Sequence, residues 1–102
     1  MLDYAQEAVE MAQGRRREDL NADRMFRYAL THLVELIGEA AARVSEDGQR
    51  RYASVPLRAA RGMRNRLIHG YDVVDLDVLW DTIRDDLPAL IVRLRQALGQ
   101  AG

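Results

Sequence analysis

The sequence contains no cysteine and no lysine, and only two prolines, two histidines, one phenylalanine and one tryptophan. Without cysteine it forms neither disulfides nor thiolate metal sites. Two histidines with no paired-ligand spacing are poor material for a structural metal, and no metal or other cofactor is expected. No apolar run approaches the roughly 18 residues that a membrane span needs. The opening Met1-Leu2-Asp3-Tyr4 is acidic where a signal peptide is basic, so a cytoplasmic protein without membrane attachment is expected. The absence of lysine makes every fixed side-chain cation a guanidinium.

What is present is an ordinary globular composition. The 102 residues suit one domain over 1–102, with 48% hydrophobic and 30% charged residues. A net charge of -1 gives no general affinity for nucleic acid. The local distribution is more telling. From Pro56 to Tyr71 there are arginines 58, 61, 64 and 66 and no acid. From Asp72 to Leu87 there are aspartates 72, 75, 77, 81, 85 and 86 against Arg84 alone. Two readings stay open: mutually attracting solvated helix faces, or a phosphate-binding patch on an otherwise repulsive surface.

Apolar periodicity predicts four helices and almost no strand. The first spans about Leu2 to Gln13, with Ala5, Ala8, Val9 and Ala12 on one face and Gly14 as its stop. Asp19, Asn21 and Asp23 compete to cap the second, expected over about Ala22 to Val44. Its main stripe is Phe26, Leu30, Leu33, Ile37, Ala41 and Val44. A second stripe, Met25, Ala29, His32 and Leu36, continuing to Glu39, is a candidate dimer face. Pro56 suits the first turn of a third helix, with Leu57, Ala60, Arg64 (or Met63), Leu67 and Ile68 periodic and Gly70 its end. Asp75 should cap a fourth. Its stripe is Leu76, Leu79, Trp80, Ile83, Leu87, Leu90, Ile91, Leu94 and Leu98, which Pro88 should kink or split. The expected architecture is all-α, an antiparallel bundle of four to five helices.

Residues 64–71, Arg-Asn-Arg-Leu-Ile-His-Gly-Tyr, concentrate the reactive side chains. Arg64 beside the apolar stripe is either paired with an aspartate of the fourth helix or held at the mouth of a site. His69 is either a helix C-terminal cap or a proton-transfer group. On straight helix the two point about 140° apart, so meeting requires a turn at Gly70 or a second subunit. Tyr71 either covers the core edge or joins the site, and Asn65 either caps or orients the histidine. His32 reads as an interface histidine. Glu39 reads as an ion-pair partner for a third-helix arginine more than as a catalyst.

Arg64 followed by Asn65, then His69 and Tyr71, resembles the signature of the HEPN superfamily. Leu36-Ile37-Gly38-Glu39-Ala40-Ala41, the flanks Met63 and Ile68, and the block Val74-Asp75, Val78-Leu79-Trp80, Asp86-Leu87-Pro88 extend the likeness over most of residues 22–95. Together they are similar to the HepT-like ribonuclease toxins, which are encoded beside a minimal nucleotidyltransferase antitoxin of the MntA type. The resemblance implies an HEPN-like homodimer that is a metal-independent endoribonuclease, the toxin of a type VII-like toxin–antitoxin system. It implies that Arg64 and His69 are catalytic, with Asn65 and Tyr71 in support. It further implies that the cognate MntA-like nucleotidyltransferase adenylylates Tyr71. In some relatives the modified tyrosine lies within the four-residue spacer; here the spacer is Asn65, Arg66, Leu67 and Ile68, leaving Tyr71 for that role.

The chemistry is self-consistent. RNA carries its own nucleophile in the 2′-OH, and cleavage needs a base, an acid and positive charge on the phosphorane. A histidine, with an ordinary pKa of about 6.5, serves as base or acid, and an arginine forks onto two phosphate oxygens. One histidine per chain is thin for both transfers, which favours a composite dimer site or help from Tyr71. Arg58, Arg61 and Arg66 are candidates to guide the RNA backbone. The alternatives are a non-catalytic helical partner of a nucleotidyltransferase and a purely structural bundle.

Overall fold

A computed structural model describes residues 1–69 and 73–99, apart from the side chains of Ile68, His69 and Val73. Helix α1 (Leu2–Ala12) buries Ala5, Ala8 and Ala12, and Gly14 with φ of +73° turns the chain away. That left-handed backbone suits glycine, so the stop falls where the sequence places it. A four-residue helix, α2 (Asp19–Ala22), follows. Of the three competing caps, Asp23 begins α3 (Arg24–Ala42), its carboxylate accepting the Phe26 N–H at 3.1 Å. Arg15 reinforces this corner: it reaches Asp23 at 3.0 Å and lies 4.0 Å above the Phe26 ring.

Helix α3 is the central strut. Its expected stripe is buried from Phe26 through Ala41, together with Val34 and Gly38. It ends two residues before Val44, and Ser45 caps a short helix, α4 (Glu46–Arg51), which has no buried residue. Helix α5 (Leu57–Leu67) starts after Pro56, whose carbonyl accepts the Ala60 N–H, and it buries Ala60, Met63 and Leu67. Met63 rather than Arg64 takes the core position.

The third helix stops at Leu67, short of Gly70. The chain continues as strand β1 (Ile68–His69), paired antiparallel with β2 (Val73–Val74), Ile68 opposite Val74 and His69 opposite Val73. The Asp75 N–H then donates to the Leu67 carbonyl at 2.6 Å, satisfying one of the helix's last acceptors. The expected stop at Gly70 lies outside the described residues.

Asp75 caps α6 (Leu76–Asp81) through the Val78 N–H, as expected. Ahead of Pro88 the stripe is divided, as expected, with α6 ending at Asp81. Thr82–Asp86 form a π-helical turn that leads directly into α7 (Leu87–Ala97). Pro88 offers no N–H, and its ring crowds the carbonyl four residues back. The wider turn, in which Leu87 N–H reaches the Thr82 carbonyl, absorbs that conflict while the chain stays helical. Leu98, expected on the stripe, lies past the helix and is half exposed.

Helices α1, α3, α5 and the α6–α7 unit surround one core, with α3 packed between α1 and α5. The architecture is the all-α bundle expected, with one two-residue strand pair attached. Its thin dimension is 17 Å, less than two helix diameters of about 10 Å each. No helix among the described residues is long and apolar enough to cross a membrane.

Candidate functional site

The site is built at the C-terminal end of α5, where it meets the middle of α3. Gly38 sits at that meeting point. A Cβ at Gly38 would lie 3.6 Å from the carbonyl oxygens of both Ala60 and Arg61, and 3.9 Å from the Arg64 Cβ. Two backbones therefore approach with almost nothing between them, and the root of Arg64 is seated against α3. The rest of the side chain is exposed and makes no hydrogen bond or ion pair among the described residues. An anchored root with a free guanidinium is the arrangement that an anion-binding arginine needs.

The aspartate partner proposed for Arg64 belongs instead to Arg66, whose Nη2 lies 3.6 Å from Oδ2 of Asp86. The reason is helical phase. Arg66 sits about 200° further round α5 and faces the α6–α7 unit, whereas Arg64 faces α3. Glu39 is exposed and forms no ion pair with an α5 arginine among the described residues. Arg58, Arg61 and Asn65 are also exposed on α5.

His69 lies on β1, two residues beyond the helix end. The 140° helical offset from Arg64 therefore does not apply, because the backbone is extended from Ile68 onward. Its imidazole is not among the described side chains, and Tyr71 lies outside the described residues. The pairing with β2 fixes the backbone at His69 all the same. Val74 of β2 lines a groove with Tyr28 and Thr31 of α3, so the strand that pairs with Ile68–His69 borders the N-terminal half of that helix. On the neighbouring face Met25 is 82% and Tyr28 60% exposed, and His32 is exposed too. Of the second stripe of α3, Met25 and His32 are thus exposed among the described residues, whereas Ala29 and Leu36 are partly buried and Leu36 packs against the core.

Gly38 and Asp86 are the residues whose roles the sequence reading missed. Glycine deep inside a long helix is costly, and that cost was the available signal for Gly38. Nothing local to Asp86 announced its partner.

The chain is similar in sequence to known proteins. The model of the family described as ribonuclease HepT-like matches residues 1–97. The "Probable ribonuclease HepT" of Thermococcus cleftensis is 36% identical over 88 residues, covering 82% of this chain and 80% of that protein. A protein of Methanocaldococcus jannaschii with a provisional RNase name is 30% identical over 90 residues, covering 88% and 83%. One of Caldanaerobacter subterraneus subsp. tengcongensis, similarly named, is 30% identical over 90 residues, covering 88% and 80%. No solved structure is significantly similar to the chain. Matched by the family model over nearly its whole length, the chain belongs to the ribonuclease HepT-like family.

Proposed function

We propose that this protein is a metal-independent endoribonuclease toxin whose site is centred on Arg64 and His69. The observation that carries this reading is the free guanidinium of Arg64, rooted against α3 a few residues from the strand that bears His69. The 2′-OH of the substrate attacks the adjacent phosphorus as histidine accepts its proton. The P–O5′ bond breaks, and the departing oxygen takes a proton from a second group. Arg64 holds two non-bridging oxygens of the phosphorane and offsets its charge. The products are a 2′,3′-cyclic phosphate end and a 5′-OH end.

The second proton-transfer group comes from another copy of the chain or from Tyr71. The exposed Met25, Tyr28 and His32 of α3 lie on the side of that helix that borders β2, the partner strand of Ile68–His69, which supports a homodimer that brings two motifs near one another. Arg58 and Arg61 guide the RNA backbone, and Asn65 orients the site. Adenylylation of Tyr71 by a cognate nucleotidyltransferase is the off-switch: an AMP there sets an anionic phosphate and a purine beside Arg64 and excludes RNA. The test is cleavage of an RNA oligonucleotide, with and without EDTA, beside the same oligonucleotide carrying one 2′-deoxy position at the cut. The reading requires EDTA-resistant cleavage that vanishes at the deoxy position; cleavage there shows that water is the nucleophile and overturns it.

A further inference from the structure

Three arginines of α5 divide between two flanks. Arg61 and Arg64 border α3 at Gly38. Arg66 faces the other way and makes the one ion pair that ties α5 to another element among the described residues. Its surroundings on the α6 side are acidic. A groove of about 510 Å³ is lined there by Arg66, Asp75, Val78, Asp81, Thr82 and Asp86. Asp81 and Asp86 make this side of Arg66 unfavourable for a phosphodiester, while Arg93 shares the adjoining groove with Arg66 and Asp86.

The π-helical turn is what gathers those carboxylates. On a straight α-helix Asp81 and Asp86 would point about 140° apart. An i→i+5 turn brings residues five apart back towards one face, so both line the same groove. Pro88 makes the wide turn favourable, and the wide turn aims Asp86 at Arg66.

We infer that Arg66 is a positioning residue and not an RNA contact: its pair with Asp86 clamps the last turn of α5 to the π-turn. That turn carries Arg64 on its opposite flank and leads directly into the His69 strand, so the clamp limits motion of both catalytic residues. The inference rests on the ribonuclease reading for its effect on catalysis, but the clamp itself is measurable without RNA.

The experiment compares wild type, Arg66→Ala, Asp86→Asn and the reversed pair Arg66→Asp with Asp86→Arg. Each single change lowers kcat about two- to fivefold, the range open to an exposed ion pair, with KM and the salt dependence of RNA binding unchanged. The reversed pair restores kcat. In hydrogen exchange without RNA, the Asp75 amide, which is bonded to the Leu67 carbonyl, exchanges about two- to fivefold faster in each single variant and recovers in the reversed pair. A raised KM with a shallower salt slope, not restored by reversal, makes Arg66 an RNA contact and overturns the inference. Unchanged exchange overturns it as well. If the wild type does not cut RNA, the ribonuclease reading falls, and exchange alone decides the clamp.

Discussion

Substitutions at Gly38 separate the two consequences of the α3–α5 approach. In Gly38→Ala the new methyl lies 3.6 Å from two carbonyl oxygens and 3.9 Å from the Arg64 Cβ, ordinary van der Waals separations. Nothing has to move, and removing a glycine from the interior of a 19-residue helix contributes up to about 1 kcal/mol. For a domain this small that raises Tm by about 4–8 °C. In Gly38→Leu the side chain continues past Cβ into the α5 backbone. The helices must separate, at about 1–3 kcal/mol, and Arg64 loses the surface that seats it. Thermal and urea melts of both variants, followed by RNA cleavage on whatever remains folded, give the readout. The alanine variant should melt higher and keep its activity. The leucine variant should melt lower and lose activity even at temperatures where it is folded. Destabilisation of the alanine variant by more than about 1 kcal/mol, or a leucine variant that melts like wild type, refutes the close approach.

Leu67→Ala, at a fully buried position closing α5, should cost about 2–5 kcal/mol in urea melts, whereas Leu98→Ala at a half-exposed position should stay within about 0.5 kcal/mol; similar losses at both sites contradict the packing. Asp19 and Asp23 titrate below their ordinary 3.8, Asp19 chiefly through the Arg16 N–H and Asp23 chiefly through the Phe26 N–H and then Arg15. Because the folded values are depressed, their stabilisation is present above 3.8 and is lost as pH falls through the lower folded values. Asp23→Asn keeps a good cap without the charge, so its urea midpoint should fall less steeply than wild type on acidification below about pH 4. Incubation with ATP and the cognate nucleotidyltransferase should add AMP mass to wild type and none to Tyr71→Phe; AMP on the phenylalanine variant removes Tyr71 as the modified residue.

The parts of the fold that were legible in the sequence are those whose apolar residues recur every three or four positions. Phe26 to Ala41 and Leu79 to Leu94 announce buried stripes because one-sided burial is what creates the pattern. Helix α4 has no buried residue and so leaves no stripe; only the Ser45 cap marks it. The end of α5 was misjudged because the strand pair of Ile68–His69 with Val73–Val74 depends on backbone bonds across a turn, and two-residue strands carry no period. One of the two readings of the charge pattern was a bridge between the third and fourth helices. Choosing Arg66 over Arg64 for it required the rotation of α5 about its axis, which packing against Gly38 sets. Arg64, His69 and Tyr71 stood out in the sequence as a cluster of reactive side chains. The seat that holds its arginine became visible only with α3 and α5 side by side.

The central claim is that Arg64 and His69 together form an RNA-cleaving site. Its most direct test is single-turnover cleavage by wild type, Arg64→Ala, His69→Ala and the double variant, each first shown to melt like wild type. Arg64 is exposed and unpaired among the described residues, so its removal should leave stability within about 0.5 kcal/mol. The account predicts that each single variant loses cleavage by at least about a hundredfold, and that the double variant is little worse than either, since residues acting as one unit are not additive. Cleavage by either folded single variant at the wild-type rate contradicts it.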